Sequence, residues 1–124
     1  MHEKRVPIRW SDLDGLGHVN QAVYLTFAEE AVDDWFRQRL DDVPDYAIVR
    51  TTIEYRHELR LADVEAVGSV ELVALGGSSM TLRCTLSKPD GTVSAEIESV
   101  AVSFDREARR SRPLTDEQRA ALEA

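Results

Sequence analysis

The 124-residue sequence has little that would place it in an oxidising compartment, on a nucleic acid or in a membrane. It contains one cysteine, Cys84, so no internal disulfide can form. Its 15 Lys and Arg residues are outnumbered by 23 Asp and Glu, and the net charge of −8 disfavours binding to a phosphate backbone. The first ten residues lack the apolar core of a signal peptide, and no run of 18 apolar residues occurs. We therefore expect a cytoplasmic protein with no nucleic acid and no membrane as partner.

Several catalytic and ligand-binding motifs are also missing. The sequence has no Gly-x-Ser-x-Gly, which argues against a serine hydrolase of the α/β-hydrolase type. Its three histidines, His2, His18 and His57, are scattered and no cysteine pair accompanies them, so we expect no metal site. Residues 15–20 carry only two glycines of a dinucleotide-binding fingerprint, and no parallel βαβ pattern follows them, which disfavours that ligand.

The length and composition are those of one globular domain. The chain is 43% hydrophobic and 31% charged, which is ordinary for a folded protein and excludes intrinsic disorder. A chain of 124 residues buries enough surface to fold alone, so we expect a single domain over residues 1–124.

The clearest regular pattern is an amphipathic helix over residues 20–40. Asn20 is a favourable N-cap residue, and the sequence Asp-Asp-Val-Pro-Asp over 41–45 ends the helix. Apolar residues recur at every fourth position and two more widen the stripe: Val23, Phe27, Ala31 and Trp35, with Ala28 and Phe36. Such a helix is about 30 Å long and suits the spine of a small domain.

The remainder of the chain alternates with a period of two, as antiparallel strands do when one face is covered. The odd positions of 49–59 and the even positions of 80–86 form apolar faces, and residues 76–79 and 89–91 are hairpin turn sequences. In the last strand the apolar positions change from odd to even, which predicts a β-bulge near Glu98 and Ser99.

The predicted order is one strand, the long helix, four strands and a short terminal helix over 115–123. Thr115 and Gln118 have the spacing of a capping box at the start of that terminal helix. The long helix is the only apolar partner large enough for the inner face of the sheet. The sequence therefore predicts an α+β fold in which an antiparallel five-stranded sheet is wrapped around one long central helix.

The densest group of chemically active side chains lies between the first strand and the long helix. Two carboxylates, a histidine and an asparagine fall within nine residues: Asp12, Asp14, His18 and Asn20. Two glycines in the same loop allow close approach of a ligand, and the helix start offers unpaired N–H groups at the positive end of its dipole. Such donors can stabilise an oxyanion, and a carboxylate can act as base or nucleophile. The loop therefore predicts an acyl-transfer site, although Asp-rich loops before helices are more often turns and caps.

These residues resemble a known enzyme family. The sequence Arg-Trp-Ser-Asp-Leu-Asp-Gly-Leu-Gly-His-Val-Asn over 9–20, followed by Tyr24 and by Glu-Glu-Ala over 29–31, is similar to hotdog-fold acyl-CoA thioesterases of the 4-hydroxybenzoyl-CoA thioesterase type. It is also similar to the corresponding segment of acyl-ACP thioesterases. The segment 53–60 and the hairpin at 89–91 are compatible with the family, so the resemblance covers about residues 5–105.

The resemblance implies both an assembly and a reaction. It implies the hotdog fold, with the sheets of a homodimer joined edge to edge and paired active sites at the interface; a homotetramer is the alternative. It further implies hydrolysis of an acyl thioester to the free acid and CoA-SH, without a metal or other cofactor.

The resemblance also assigns roles to residues of this chain. The family's catalytic aspartate falls on Asp14, as base or nucleophile, and the assisting histidine of the acyl-ACP relatives falls on His18, whereas Asp12 is expected to be structural. Those relatives carry an asparagine where this chain has Leu16, and some bacterial relatives carry a histidine where it has Gln21. The thioester carbonyl is expected to bind backbone N–H groups near residues 17–21. The expected oxyanion and substrate-positioning residues are Gly17, Asn20, Gln21 and Tyr24.

Binding of CoA phosphates by an acidic chain requires a local basic patch. Arg106, Arg109, Arg110 and Arg112 form the densest cluster, Arg56 and Arg60 are the alternative, and a solvated tail with no ligand is a third interpretation. The acyl pocket is expected to draw on two subunits, through residues such as Val23, Phe27, Tyr55 and His57.

Three functions compete at this point. The leading one is an acyl-CoA thioesterase; the alternatives are a non-catalytic acyl-thioester-binding hotdog module and an acyl-ACP thioesterase. A hotdog dehydratase ranks below these because its Asp/His pattern is not found. The sequence does not determine the length or the aromatic nature of the acyl group.

Overall fold

The computed structural model describes residues 2–124 as an antiparallel sheet packed against helices. The strands and helices are β1 (His2–Pro7), α1 (Gln21–Leu40), β2 (Tyr46–Tyr55), β3 (Glu65–Leu75), β4 (Ser79–Ser87), β5 (Val93–Asp105), β6 (Arg110–Ser111) and α2 (Asp116–Glu123). The sheet order is β1-β3-β4-β5-β2, and the two-residue β6 pairs with the end of β5. All pairings are antiparallel, and β1 and β2 form the two edges.

The long helix α1 forms where the sequence predicts it. The side-chain oxygen of Asn20 accepts the Ala22 N–H at 2.9 Å, and Asp41 ends the helix in the left-handed conformation with φ 66°. The residues that α1 buries are Tyr24, Phe27, Ala28, Ala31, Val32, Trp35 and Phe36. The terminal helix α2 also has the predicted capping box, because Thr115 and Gln118 each bond the other's backbone N–H.

Gly68 on β3 allows α1 to approach the sheet closely. A Cβ atom built on Gly68 would lie 2.7 Å from the Cβ of Ala31 on α1, which is well inside van der Waals contact. Ala31 is completely buried, so neither residue can move aside cheaply. The absence of a side chain at Gly68 therefore sets the spacing between helix and sheet.

This contact predicts a stability effect. We expect Gly68→Ala to lower the free energy of unfolding by about 1–3 kcal/mol, because the added methyl group overpacks the core. The matched control is Gly77→Ala, since a Cβ at Gly77 meets nothing within 4 Å. Thermal unfolding of both variants measures the difference, at roughly 4 °C per kcal/mol. Equal melting temperatures for the two variants would contradict the close approach.

The second strand differs from its prediction at both ends. β2 spans Tyr46–Tyr55 rather than 49–59, and its regular pairing with β5 is interrupted between Ile48 and Arg50. The extra residue at that bulge is Val49, which is 61% exposed although it was expected to face inward. Because β2 is an edge strand, much of its length is uncovered in the single chain.

The predicted bulge at Glu98 and Ser99 is wrong. The pairing of β4 with β5 runs without a shift from Ser79↔Val102 to Leu86↔Ala95. The buried residues of β5 on this face keep one phase: Ala95, Ile97, Ala101 and Ser103. The even-numbered apolar residues therefore lie on the opposite face of the sheet, where they are partly covered.

The fold class is confirmed as α+β with an antiparallel sheet, but its details differ from the prediction. The sheet has six strands rather than five, because Arg110–Ser111 adds a short strand beyond the predicted ones. The described chain has two α-helices, the 20-residue α1 and the 8-residue α2, and two short 3-10 helices at Trp10–Asp12 and Leu61–Asp63. No helix within residues 2–124 is both long and apolar enough to cross a membrane.

Candidate active site

The loop that leads into α1 is held in place by Asp12. The Asp12 carboxylate accepts the Arg9 backbone N–H at 2.8 Å and the Arg9 guanidinium at 3.0 Å, and it is 2% exposed. The carbonyl oxygen of Asp12 accepts the Asn20 N–H at 2.8 Å, which joins the loop to the helix start. These bonds agree with the expectation that Asp12 has a structural role.

A tight turn projects from this loop and carries the second aspartate. Leu13 and Val19 form an isolated antiparallel bridge, and the Asp14 N–H donates to the His18 carbonyl at 2.9 Å. Gly17 closes the turn with φ 83°, a conformation that favours glycine, and its N–H donates to the Asp14 carbonyl at 3.3 Å. The turn thereby places the side chains of Asp14 and His18 next to each other.

Asp14 and His18 are in close contact as a pair of oppositely chargeable side chains. The Nδ1 atom of His18 lies 3.0 Å from Oδ2 of Asp14, and the side chains of His18 and Asp14 are 24% and 23% exposed. The other carboxylate oxygen, Oδ1, accepts the Leu16 N–H at 2.8 Å. Nδ1 of His18 also lies 3.3 Å from the Val19 carbonyl oxygen. A carbonyl oxygen can only accept a hydrogen bond, so Nδ1 carries a hydrogen, and in the corresponding neutral tautomer Nε2 is the acceptor.

The helix start next to this pair offers an unused donor. The Ala22 N–H is bonded to the Asn20 side chain, and the Val23 N–H is bonded to the Asn20 carbonyl at 2.9 Å. The Gln21 N–H, at the first position of α1, has no hydrogen-bond acceptor among residues 2–124. A free N–H at the positive end of a 20-residue helix is suited to binding a developing oxyanion.

A surface cleft brings the histidine and this amide together. Its walls include His18, Gln21, Tyr24, Tyr55, His57 and Glu58. The Tyr55 hydroxyl donates to the Gln21 carbonyl at 2.9 Å, which ties the end of β2 to the start of α1. The Tyr24 and Tyr55 rings meet edge to face, with their centroids 5.1 Å apart. The cleft is therefore shaped by two tyrosines from different elements.

The expected positioning residues divide into two groups. Gln21 presents a free amide, whereas the Gly17 and Asn20 amides are already bonded to carbonyls within the loop. Tyr24 is 3% exposed, its hydroxyl accepts the Leu59 N–H at 2.8 Å, and burial raises the pKa of this phenol. Gly17, Asn20 and Tyr24 thus support the cleft through structural bonds.

The arginine cluster lies at the other end of β2 from this cleft. Arg106 and Arg109 occupy the turn between β5 and β6, and Arg110 begins β6. Arg106 is paired with Asp45, directly before β2, whereas Tyr55 at the far end of β2 bonds to Gln21. Ten residues of strand span roughly 30 Å, so the cluster and the cleft of one chain are far apart.

The alternative arginines lie near the cleft but are neutralised. Arg56 is bonded to both Glu54 and Glu96, and Arg60 is paired with Glu58. Among residues 2–124, neither Arg109 nor Arg110 takes part in an ion pair, and the Arg109 guanidinium lies over the Phe104 ring, 5.2 Å from its centroid. Of the arginines expected to bind phosphate, the unpaired ones therefore belong to the distant cluster.

An apolar cavity of about 240 Å³ between α1 and the sheet was not predicted from the sequence. It is lined by Leu25, Ala28, Glu29, Val32, Tyr46, Ile48, Thr51, Leu82, Cys84, Ile97 and Ser99. Of the residues expected to form an acyl pocket, Phe27 is instead 1% exposed in the core, and Tyr55 and His57 line the cleft. The one sequence signal for this cavity is the small residue Ala28 within the apolar stripe of the helix.

The described part of the chain shows no gathering of three His, Cys, Asp or Glu side chains that could hold a metal ion. The groups that the cleft and its adjoining turn do offer are the Asp14 carboxylate, the His18 imidazole and the Gln21 amide.

The sequence as a whole matches known proteins. A family model described as the thioesterase-like superfamily matches residues 8–122. The chain is 30% identical to the long-chain acyl-CoA thioesterase FadM of Escherichia coli (strain K12), over 98% of this chain and 96% of that protein.

Solved structures have the same fold. A thioesterase from Thermus thermophilus, complexed with coenzyme A and zinc, superposes with a TM-score of 0.87 at 32% identity and covers 97% of this chain and 90% of its own. A member of the thioesterase superfamily from Jannaschia sp. CCS1 superposes with a TM-score of 0.87 over 98% of this chain and 90% of its own; at 21% identity it supports the fold alone.

Proposed function

The chain belongs to the thioesterase-like superfamily and is an acyl-CoA thioester hydrolase, and on this premise we propose that Asp14, His18 and the Gln21 N–H form its active site. The resemblance to hotdog-fold acyl-CoA thioesterases is thereby confirmed. The observation that carries the site assignment is the Asp14–His18 pair at 3.0 Å beside an amide donor without an acceptor. We further propose that residues 1–124 form one hotdog domain that acts in the cytoplasm.

In the proposed reaction, one group binds the oxygen of the thioester carbonyl and another promotes attack on its carbon. The carbonyl oxygen accepts the Gln21 N–H, where the dipole of α1 stabilises the negative charge that develops on it. Asp14 takes a proton from water as the water oxygen bonds to the carbonyl carbon, or attacks that carbon itself. When water attacks, the C–S bond then breaks, the thiolate receives the proton held by Asp14, and the products are the free acid and CoA-SH. When Asp14 attacks, breakage of the C–S bond leaves an acyl–Asp14 anhydride; water hydrolyses it to the free acid and the Asp14 carboxylate, and the proton released goes to the thiolate.

His18 orients the carboxylate in this proposal. The Leu16 N–H donates to Oδ1 of Asp14, and Nδ1 of His18 lies 3.0 Å from Oδ2, so each carboxylate oxygen is in contact with a nitrogen. Fixed geometry lowers the entropic cost of reaching the transition state. The Nε2 atom of His18 carries no hydrogen in this tautomer, so the proton that the leaving thiolate receives is the one that Asp14 takes from water.

We propose that the functional unit is a homodimer formed through β2; a homotetramer would pair two such dimers. β2 is a ten-residue edge strand whose outer backbone groups have no neighbouring strand in the single chain. Three large apolar side chains of this strand are at least 45% exposed: Ile48, Val49 and Tyr55. Pairing with the same strand of a second copy would satisfy the edge and cover these side chains.

This dimer would supply the phosphate-binding arginines from the second subunit. In an antiparallel two-fold pairing, the start of one β2 lies beside the end of the other, so the Arg106, Arg109 and Arg110 side chains of the second copy would approach Gln21 of the first. The cluster within the same chain is separated from Gln21 by the length of β2. We therefore propose that each site combines Asp14 of one chain with the arginines of the other.

Mixed dimers test this arrangement. The first subunit carries Asp14→Asn, and the second carries Arg106→Gln, Arg109→Gln and Arg110→Gln. If the arginines act across the interface, one site keeps both Asp14 and the arginines, and we expect half of the wild-type kcat with the wild-type KM. The comparison is the homodimer in which both subunits carry the three Arg→Gln substitutions. We expect its KM for acyl-CoA to be raised about tenfold, equal to about 1.4 kcal/mol. A mixed dimer with that raised KM would contradict the arrangement.

The nature of the carrier is tested with one acyl chain on two carriers. The proposal expects higher kcat/KM for acyl-CoA than for the matching acyl-ACP, because the site is proposed to bind the CoA phosphates. Faster hydrolysis of the acyl-ACP would reassign the carrier, whereas binding without hydrolysis on either carrier would indicate a non-catalytic module.

A further inference from the structure

The apolar cavity runs alongside α1 from near the active site toward the middle of the domain. On the helix its lining extends from Leu25 to Val32, and on β2 it extends from Thr51 back to Tyr46. Its floor is formed by side chains of the sheet, among them Leu82, Cys84 and Ile97. Its near end, at Leu25, is one helical turn beyond Gln21, which lines the cleft of the proposed active site.

Two hydrogen bonds between β2 and α1 fix the strand beside the helix along the cavity. Tyr55 bonds to Gln21 at one end of the strand, and Tyr46 bonds to Asp33 at the other. The strand therefore follows the helix, and Tyr46 lies beside its fourth turn. From Gln21 to Val32 the helix rises about 16 Å, which is the length available between the proposed oxyanion donor and the far end.

Tyr46 is held rigidly in this position. Its hydroxyl donates to Oδ1 of Asp33 at 2.6 Å, and its ring packs against that of Phe36 with centroids 5.1 Å apart. Burial, with the hydrogen bond to Asp33, raises the pKa of Tyr46 above its ordinary value, so the phenol stays protonated at physiological pH. A side chain with both its ring and its hydroxyl constrained cannot easily move aside for a ligand.

We propose that the cavity holds the acyl chain of the substrate and that Tyr46 is its end wall, which sets the longest chain accepted. This rests on the proposed function, because the direction of the chain follows from placing the carbonyl at Gln21. The substrate class is then a thioester of an aliphatic acid whose chain length is limited by Tyr46. The apolar lining gives each additional methylene group a favourable contact until the chain meets the Tyr46 ring.

Chain-length profiles test the end wall. Tyr46→Ala removes the ring, and we expect kcat/KM to rise at least tenfold for chains longer than the wild-type optimum, because one methylene group in a fitted pocket changes it by about 10–200-fold. Ala28→Leu fills the cavity from the helix side and should move the optimum to shorter chains. Tyr46→Phe keeps the ring, so it should keep the wild-type length limit. An unchanged profile in both Tyr46→Ala and Ala28→Leu would overturn the proposal; if Tyr46→Ala does not fold, the Ala28→Leu profile alone decides.

Cys84 provides a second readout that does not depend on turnover. It is the single cysteine of the chain and lines the cavity, so its modification reports directly on cavity occupancy. Burial raises the pKa of this thiol to about 12, so labelling should be slow at neutral pH and faster in alkaline buffer. The probe is a small apolar methanethiosulfonate, followed by mass spectrometry of the intact protein.

The rate of Cys84 labelling is compared with and without a non-hydrolysable acyl-CoA thioether. We expect a long-chain thioether to slow Cys84 labelling at least tenfold and CoA alone to leave the rate unchanged. Equal labelling rates with both ligands at saturation would overturn the acyl-chain assignment. Protection of Cys84 without any hydrolysis of acyl-CoA would support the cavity assignment and instead contradict the proposed catalytic function, so the two failures are distinguishable.

Discussion

Asp14→Asn is expected to lower kcat for acyl-CoA hydrolysis by about 10³-fold while the protein folds normally. The amide cannot accept a proton from water or act as a nucleophile, and general base catalysis contributes about 10²–10⁴-fold. The substitution keeps the shape of the side chain and one oxygen for the Leu16 N–H, which bonds to Asp14 in the wild-type turn. Initial rates of thiol release, with circular dichroism to verify folding, measure the effect.

The matched control for this substitution is Asp42→Asn. Asp42 is exposed and follows the end of α1. The Asp42→Asn substitution therefore removes the same charge about 30 Å from the proposed site. Its Oδ1 accepts the Val43 N–H at 2.8 Å, a local bond much like that between Asp14 and Leu16. The control should keep wild-type kcat. Equal activities of the Asp14→Asn and Asp42→Asn proteins would reject a catalytic role for Asp14.

Gln21→Pro should remove the proposed oxyanion donor without damaging the helix. Proline lacks an N–H and is favoured at the first position of a helix, where no intrahelical bond is lost. Asn20 has φ −58° and ψ 137°, which is the extended conformation that a residue before proline adopts. We expect kcat to fall by about 10²–10³-fold, equal to about 2.7–4 kcal/mol of transition-state stabilisation.

The comparison for this prediction is Gln21→Ala, which removes the side chain and keeps the N–H. Its kcat should lie much closer to wild type than that of Gln21→Pro. Because the Tyr55 hydroxyl bonds to the carbonyl of residue 21, both variants retain the link between β2 and α1. If both variants lost the same activity, the side chain or the loop geometry would be responsible, and the amide would have no special role.

Both predictions depend on α1 serving two purposes at once. Its apolar side buries Phe27, Ala31 and Trp35 against the sheet, which fixes the position of the helix. Its N-terminus then presents Gln21 at a defined place, with Asp12 holding the preceding loop through the Asn20 N–H. The same packing that stabilises the domain therefore also orients the proposed oxyanion donor.

The sequence was sufficient where the determining interactions are local. The N-cap Asn20, the end of α1 at Asp41 and the capping box of α2 each depend on residues at most three positions apart, and all are present. The proximity of Asp14 and His18 could also be predicted, because they are four residues apart and one turn brings their side chains together.

The sequence was insufficient where distant segments decide the outcome. The phase of β5 depends on how both sheet faces are covered, so the apolar residues Val100 and Val102 led to a predicted bulge although they lie on the other face of a regular strand. The cavity lies between α1 and the sheet and is lined by residues as distant in sequence as Ala28 and Tyr46, and alternation along one strand carries no information on such an arrangement. Whether the Gln21 N–H has an acceptor depends on the hydrogen bonds that Asn20 makes in the folded loop, which the sequence does not determine.

The measurement that tests the central claim most directly is hydrolysis of a long-chain acyl-CoA in water enriched in heavy oxygen, with mass spectrometry of the products. For the wild-type chain we predict repeated turnover to equal amounts of CoA thiol and free acid, with the heavy oxygen in the acid carboxyl group, and for Asp14→Asn we predict only the background rate. Recovery of intact acyl-CoA from the wild-type protein, or full turnover by Asp14→Asn, would contradict the account.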